Sequence, residues 1–358
     1  MIDRNDSALL LLNLGSPDSY SVSDVRKYLG EFLMDERVID APYLVRSMIV
    51  KGFILPFRPK KSAHAYQKVW TKEGSPLKVI TESFKKELEE LVDMPVAVAM
   101  RYGNPTPAAA LEELKIKTGL KMLYVAPMYP HYAMSSYETA VEHVLRYIDK
   151  SIPVKILKPF YNEETYINSL TESIRPFVNS SPPHLLTSSP RPLATSSPHV
   201  LFSYHGLPVR HLRKASTHCY SSPDCCTIPS KGWDTCYKHQ VTQTTKLVAE
   251  KLRLREDQYS LSFQSRLGRD EWIKPFTVEL LQSYPAKGIK NLVVVCPAFV
   301  ADCLETLEEI AMAGREIFMN AGGESFTVVP CLNTSKPWVN TFASWCNDRE
   351  KQHSVLWK

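Results

Sequence analysis

Eight short apolar runs constrain the fold of this chain more than any other feature. The runs are continuous rather than alternating, which is typical of parallel strands that helices cover on both faces of a sheet. Most stretches between them have helical periodicity, as in 277–288, which leads from a threonine to a glycine. The runs occupy 8–14, 95–103, 121–130, 154–160, 199–208, 259–265, 291–300 and 324–333.

These runs fall into two groups, four before residue 161 and four after residue 198. The segment 179–200 between them is rich in Ser and Pro without periodicity, as is typical of a surface linker or flexible loop. The sequence therefore predicts an α/β protein of two four-stranded lobes, with ligands beyond the carboxyl ends of the strands. The expected units are a first lobe, a linker and a second lobe whose C-terminal helix packs on the first lobe. They span residues 1–178, 179–198 and 199–358.

Composition excludes several classes of function. The chain has 358 residues, of which 44% are hydrophobic and 23% charged, as in ordinary globular proteins. Its net charge of +5 is spread along the chain without a basic block, so no nucleic-acid partner is expected. The N-terminus lacks the basic region of a signal peptide, and no segment reaches the ~20 apolar residues that span a bilayer. We expect a cytoplasmic protein whose thiols are free or bind metal.

Two strand ends carry side chains suited to acid–base or metal chemistry. His205 ends one apolar run and precedes Gly206 and Pro208, where the backbone must turn. Glu305 follows another run at the start of a helix, and the i, i+4 spacing places Glu309 on the same helix face. Imidazole is a general base near neutral pH. Taken singly, a structural histidine and a solvated glutamate pair remain alternative interpretations.

The motifs around these residues resemble those of the ferrochelatase family. They are "SYHGLP" (203–208), "FQSRLGRDEW" (263–272) and "PAFVADCLETLEE" (297–309), in this order, and the resemblance extends from "LLLLNLGSPD" (9–18) to "CLNTSKPWV" (331–339). It implies two Rossmann-like lobes of the class II chelatase type, each a four-stranded parallel sheet flanked by helices, with a porphyrin between them. It also implies a lyase that inserts Fe²⁺ into protoporphyrin IX and releases two protons, the last step of haem biosynthesis.

The resemblance assigns roles to individual residues. His205 would abstract protons, present the Fe²⁺ substrate, or do both, with Glu305 and Glu309 as its catalytic partners. Arg101 would lie beneath the macrocycle centre, beside Tyr102. The remaining substrate-binding positions are Leu14, Tyr129, Trp272 and Phe299 for the apolar walls and Arg58, Ser75 and Ser265 for the propionates. Two departures from the family pattern are Cys303, where histidine is common, and Ala313, where a third carboxylate would stand.

An apolar stretch with a basic end, 31–61, corresponds to the lip of the porphyrin cleft in this family. An exposed apolar surface with basic neighbours suits peripheral contact with the inner membrane. Leu14 stands where coproporphyrin-type enzymes tend to have tyrosine, which favours protoporphyrin. The sequence leaves open a monomer or a homodimer.

Four of the eight cysteines lie within one insertion, 215–238: Cys219, Cys225, Cys226 and Cys236. Some ferrochelatases carry a 2Fe–2S cluster, and certain bacterial members bind it through an internal insertion. The animal-type ligands are absent, since Met134 takes the first-lobe position and no cysteine trio follows Cys346. Tetrahedral zinc and free or oxidised thiols are the alternatives, and adjacent Cys225 and Cys226 are unlike the C-x-x-C pairs of zinc sites.

Three other functions remain open at this stage. A coproporphyrin ferrochelatase and a cobaltochelatase share the expected fold. A redox or metal sensor that uses an iron–sulfur cluster is the alternative from a different class. Metallation assays and absorbance of the purified protein distinguish them.

Overall fold

Two parallel sheets of four strands form the frame of the protein in the computed structural model, which describes residues 6–179, 197–216, 219, 222, 224–266, 268, 270–348 and 356–357. The strand orders are β2-β1-β3-β4 and β6-β5-β7-β8, so the two sheets have the same plan. Each predicted run coincides with one strand, and the predicted pair of four-stranded lobes is confirmed. The strands are β1 Ser7–Ser16, β2 Val96–Gly103, β3 Met122–Pro127, β4 Val154–Ile156, β5 His199–His205, β6 Tyr259–Gln264, β7 Asn291–Val295 and β8 Ser325–Val328.

The central strand β1 shows why the runs are apolar without alternation. Leu9 and Leu11 join one buried cluster, whereas Leu10 and Leu12 join another on the opposite face of the sheet. Successive side chains of a strand point to opposite faces, so a sheet covered on both faces needs apolar residues at every position.

Helices cover both faces of each sheet. In the described residues they are α1 Val22–Leu33, α2 Tyr43–Ser47, α3 Arg58–Val69, α4 Pro76–Glu89, α5 Pro107–Lys117, α6 Thr139–Leu145, α7 Glu164–Asn179, α8 Val209–Ala215, α9 Tyr237–Leu252, α10 Thr277–Ser283, α11 Arg315–Asn320 and α12 Lys336–Asn347. Three further helical segments are π-helical: Met48–Ile54, Met134–Glu138 and Glu305–Gly314. The helix predicted over 277–288 stops at Ser283 and continues as a 3₁₀ turn, because Pro285 has no N–H to extend it.

The C-terminal helix α12 contacts the first lobe through aromatic rings. Phe342 meets Phe84 of α4 edge to face, with ring centroids 5.4 Å apart, and Trp338 lies 5.8 Å from Phe160. Both α12 rings are fully buried, so this contact is part of the main core. The predicted linker 179–198 lies almost entirely outside the described residues. None of the described helices is long and apolar enough to cross a membrane.

Candidate active site

A cleft of about 990 Å³, counted to its open mouth, lies between the two sheets. Its walls come from the carboxyl ends of strands in both lobes, where parallel sheets place ligand sites. Leu14 and Tyr129 line it from the first lobe, and His205 and Phe299 from the second. Ser75 and Glu305 also line this cleft, so the structure brings together six of the residues that the sequence singled out.

His205 ends β5 and has its ring held by the next peptide. Its Nδ1 lies 2.7 Å from the carbonyl oxygen of Gly206. A carbonyl only accepts, so Nδ1 carries a hydrogen, and whenever the ring has a single N–H its unshared pair lies on Nε2. A Cβ atom at Gly206 would lie 2.8 Å from the Gln264 carbonyl oxygen and 3.1 Å from the Trp272 ring. Glycine is therefore required here, and Trp272 packs directly beside the His205 peptide.

The two carboxylates lie on the π-helix Glu305–Gly314, and their surroundings differ. Glu305 lines the cleft, whereas Glu309 accepts hydrogen bonds from the backbone N–H and hydroxyl of Ser265 at 2.9 and 2.6 Å. Burial raises the pKa of Glu309, the Ser265 bonds and the His205 charge oppose the rise, and the Glu305 charge adds to it. His205 and Glu305 are thus both close enough for their charges to act on Glu309.

Ser265 and Arg58, two of the residues expected to bind propionates, both lie near these carboxylates. Both Ser265 donors bond Glu309, and the residue holds a left-handed backbone with φ of 68°. Burial lowers the pKa of Arg58, the first residue of α3, while the charges of Glu309 and Glu305 oppose this shift. Arg58 therefore lies within electrostatic reach of both carboxylates.

Arg101 and Tyr102 lie behind the cleft wall and meet a carboxylate that the sequence did not reveal. The Arg101 guanidinium and the Tyr102 hydroxyl both donate to Asp35, and Arg101 also donates to Thr139 at 2.8 Å. Burial by itself would raise the pKa of Asp35, but the hydrogen bond from Thr139, the Arg37 N–H and the Arg101 charge hold it below its usual value. Asp35 follows no strand and belongs to no recognised motif, so the sequence offered no signal for it.

His131 is a second histidine of the cleft wall and, unlike the half-buried His205, is buried. Thr244 donates its hydroxyl hydrogen to the Tyr161 carbonyl oxygen at 2.6 Å and lies 2.9 Å from His131 Nε2. That hydroxyl can only accept from the ring, so His131 carries its hydrogen on Nε2. Burial lowers the pKa of His131 to about 3, which keeps the ring neutral. Its Nδ1 and the Tyr129 hydroxyl have no protein partner within the described ranges.

The sequence contained a partial signal for His131. The residue lies in "MYPHYAMSS" after β3, at a strand end of the kind that carries the other wall residues. Cys303 also lines the cleft and is buried. Burial together with the Glu305 charge raises the pKa of its thiol. Asp302, the residue before it, accepts hydrogen bonds from the Thr306 hydroxyl and the Asn333 amide.

The four cysteines of the insertion are buried and converge. The Sγ atoms of Cys219 and Cys236 are 3.1 Å apart. A hydrogen bond with Cys236 raises the pKa of Cys226, as burial does. In the part of the chain that the structure describes, no group of three or more His, Cys, Asp or Glu residues is arranged to hold a metal ion. Bound metal in the insertion therefore stays a prediction.

Two parallel sheets with a cleft at their facing strand ends define a two-lobed chelatase fold, and solved structures agree. SirB from Bacillus subtilis with Fe³⁺ is 12% identical, with a TM-score of 0.51 over 97% of this chain and 98% of that one. The sirohydrochlorin chelatase SirB from B. subtilis subspecies spizizenii in complex with cobalt is also 12% identical, with a TM-score of 0.52 over 97% of each chain. At this identity the similarity shows the fold alone.

Sequence relatives define the family. A ferrochelatase family profile matches residues 6–350. The ferrochelatase of Opitutus terrae is 45% identical over 346 residues, which cover 94% of this chain and 96% of that protein. The ferrochelatase of Pseudomonas fluorescens strain Pf0-1 is 43% identical over 349 residues, 95% of this chain and 97% of that protein. The chain therefore belongs to the ferrochelatase family, enzymes that insert metal into a porphyrin.

Proposed function

We propose that this chain inserts Fe²⁺ into protoporphyrin IX within the cleft, giving protohaem and two protons. The observation that carries the proposal is that His205 and Glu305, from separate segments of the second lobe, line one cleft with apolar residues of the first lobe. A flat macrocycle needs apolar walls, and its central nitrogens need a base.

The proposed chemistry begins at His205 Nε2. Its unshared pair takes a proton from a pyrrole nitrogen, and the N–H electron pair stays on the nitrogen to bind Fe²⁺. Glu305 stabilises the imidazolium that results, and Glu309, within reach of both charges, passes protons toward solvent. Imidazole with carboxylate oxygens also suits a weakly held, exchangeable Fe²⁺, so the same groups can present the metal substrate.

The substrate contacts follow from which side chains reach the cleft. Leu14, Tyr129 and Phe299 are proposed to pack against the macrocycle faces, and Ser75 to bind a propionate. Arg58 does not line the cleft but lies within electrostatic reach of Glu305, which does, and is proposed to reach the other propionate from there. Charge-assisted bonds from the Arg58 guanidinium would be the strongest of these contacts. The other positions are proposed to support the wall from behind: Arg101, Tyr102, Ser265 and Trp272.

We propose that Cys219, Cys225, Cys226 and Cys236 hold a 2Fe–2S cluster. Four buried thiols that converge in one insertion fit such a group. The four residues would supply the thiolates that hold the two irons of such a cluster. A bound cluster would supply folding free energy to a segment with little apolar surface.

Peripheral membrane contact is proposed for the lip. Leu44 and Phe57 are 80% and 77% exposed, and Met48 and Phe53 are exposed beside them. Lysines and arginines continue the same stretch, as suits a surface that meets anionic lipid.

Comparison of the wild type with His205→Ala under anaerobic conditions tests the proposed function. We expect the wild type to form protohaem from Fe²⁺ and protoporphyrin IX, with its pyridine haemochrome spectrum. His205→Ala should lose at least about 10²-fold in kcat, as expected for a lost acid–base group. A wild type without product contradicts the function, and a variant within a fewfold of the wild type contradicts the role of His205.

A further inference from the structure

Tyr237 is the one described tyrosine whose hydroxyl donates to the backbone of the histidine at the active site. Its Oη lies 2.8 Å from the carbonyl oxygen of His205. The ring is buried, lines the cleft and meets the His131 ring edge to face at 6.0 Å. The tyrosine therefore shares the cleft wall with His205 and bonds to its main chain rather than to its imidazole.

The peptide between His205 and Gly206 is held at both ends, its carbonyl by Tyr237 and its N–H by a second hydrogen bond. The His205 carbonyl accepts from Tyr237, and the N–H of the same peptide, that of Gly206, donates to the Gln264 carbonyl oxygen at 2.8 Å. The next carbonyl, that of Gly206, accepts from His205 Nδ1. The Gly206 carbonyl follows directly on this peptide, so a rotation of the peptide shifts the acceptor for the imidazole.

Tyr237 is itself placed by the cysteine insertion. It is the first residue of α9 and follows Cys236, whose Sγ accepts from the His239 N–H at 3.4 Å and caps the helix. One turn on, Gln240 donates to the carbonyls of Trp233 and Asp234 and accepts from the Tyr132 N–H at 2.7 Å. The first turn of α9 is therefore fixed both to the insertion and to the cleft wall.

We propose that Tyr237 is a positioning residue that sets the tautomer and direction of the His205 imidazole and connects the cysteine insertion to the active site. The inference rests on the proposed role of His205. Without the hydroxyl, the partly buried His205 carbonyl loses the donor that Tyr237 supplies, so the peptide rotates toward another donor and the Nδ1–H bond to Gly206 loosens. The ring then populates the Nε2–H form, which has no unshared pair facing the substrate.

The test is Tyr237→Phe, which removes only the hydroxyl. Tyr137→Phe is the matched control, because Tyr137 is equally buried and its hydroxyl donates to the Leu157 carbonyl oxygen at 2.9 Å, away from the cleft. We expect kcat to fall about tenfold in Tyr237→Phe, with an unchanged KM for porphyrin, and to change less than twofold in the control.

Imidazole ¹⁵N spectra of histidine-labelled protein report the tautomer of His205, which a general loss of stability would not change. The His205 signal is the one absent from His205→Asn. We expect it to shift from Nδ1–H toward Nε2–H in Tyr237→Phe alone. Unchanged kcat and an unchanged tautomer overturn the inference, even if His205→Ala is inactive. An active His205→Ala instead contradicts the proposed function.

If Tyr237→Phe does not fold, Gln240→Ala tests the same link. It removes the side-chain bonds from the first turn of α9 to the insertion and to the Tyr132 N–H of the cleft wall, and it leaves the Tyr237 hydroxyl in place. We expect a smaller fall in kcat and the same direction of tautomer shift. A folded Gln240→Ala protein with wild-type kcat and tautomer overturns the inference.

Discussion

Glu305 and Glu309 are neighbours on one helix, and the residues around them separate their expected roles. Glu305 lines the cleft, while Glu309 is held by both donors of Ser265. The first carboxylate is therefore placed to face the reacting nitrogens and the second to exchange protons or metal further out.

Substitution of each carboxylate by its amide tests this division. Glu305→Gln should mainly lower kcat, because it removes the charge beside the imidazolium. Glu309→Gln should mainly raise the apparent KM for Fe²⁺, since it removes a charge from the track that leads to the site. Steady-state kinetics with varied Fe²⁺ measures both. The reverse pattern would show that Glu309, not Glu305, faces the macrocycle.

Asp35 gives a residue-level prediction about stability. Its folded pKa lies below the usual value, so its contribution is complete above the unfolded pKa of about 3.9 and disappears as pH falls through the folded pKa. Asp35→Asn should cost about 1–3 kcal/mol in the free energy of unfolding at pH 7, because buried donors lose their acceptor.

Urea unfolding of wild type and Asp35→Asn between pH 7 and pH 3 measures this difference. We expect it to be constant down to about pH 4 and to shrink below. Asp257→Asn is the control, since its pair with Arg255 is exposed and should cost almost nothing. A difference that grows toward low pH would contradict the lowered pKa of Asp35.

His205 was predictable from the strand pattern, because it ends an apolar run and the carboxyl ends of parallel strands meet at one edge. Tyr129 was assigned through the resemblance to the family and not through this pattern. Asp35 and Tyr237 were not predictable in this way. Both act through hydrogen bonds to groups distant in the sequence, and no local pattern of residues specifies such a pairing.

At the scale of elements, the insertion is predicted to depend on its cluster for stability. Protein purified without oxygen should be red-brown, with about two irons and two sulfides per chain for a 2Fe–2S cluster. Replacing Cys219, Cys225, Cys226 or Cys236 by Ser should bleach the protein and lower the folded yield, while Cys346→Ser, at a buried cysteine outside the insertion, should keep the colour. A colourless anaerobic preparation with one zinc per chain would contradict the cluster and leave the family assignment intact.

The lip is the second element with a testable property. Leu44→Glu with Phe57→Glu should weaken binding to vesicles that contain anionic lipid, since it removes two highly exposed apolar side chains and adds repulsion. Co-sedimentation measures the bound fraction. Ile116→Glu is the control, because Ile116 is 85% exposed on α5, outside the lip. Equal binding by all three proteins would argue against the lip as the contact surface.

For the whole molecule, the fold was predictable because each central strand is covered on both faces and so is apolar throughout, as Leu9–Leu12 show. Strand order, and the side chains through which the C-terminal helix packs on the first lobe, were not encoded in any local period. They depend on rings such as Phe84 and Phe342, which lie far apart in the sequence and meet only in the folded core.

The central claim is that this chain is an iron chelatase for protoporphyrin. The most direct measurement is the product formed when the purified chain is given protoporphyrin IX or coproporphyrin III with Fe²⁺, and a reduced tetrapyrrole with Co²⁺, each without oxygen. We predict rapid formation of protohaem, and slow or no product in the other two reactions. Product from coproporphyrin or from the cobalt reaction, with no protohaem, would contradict the account.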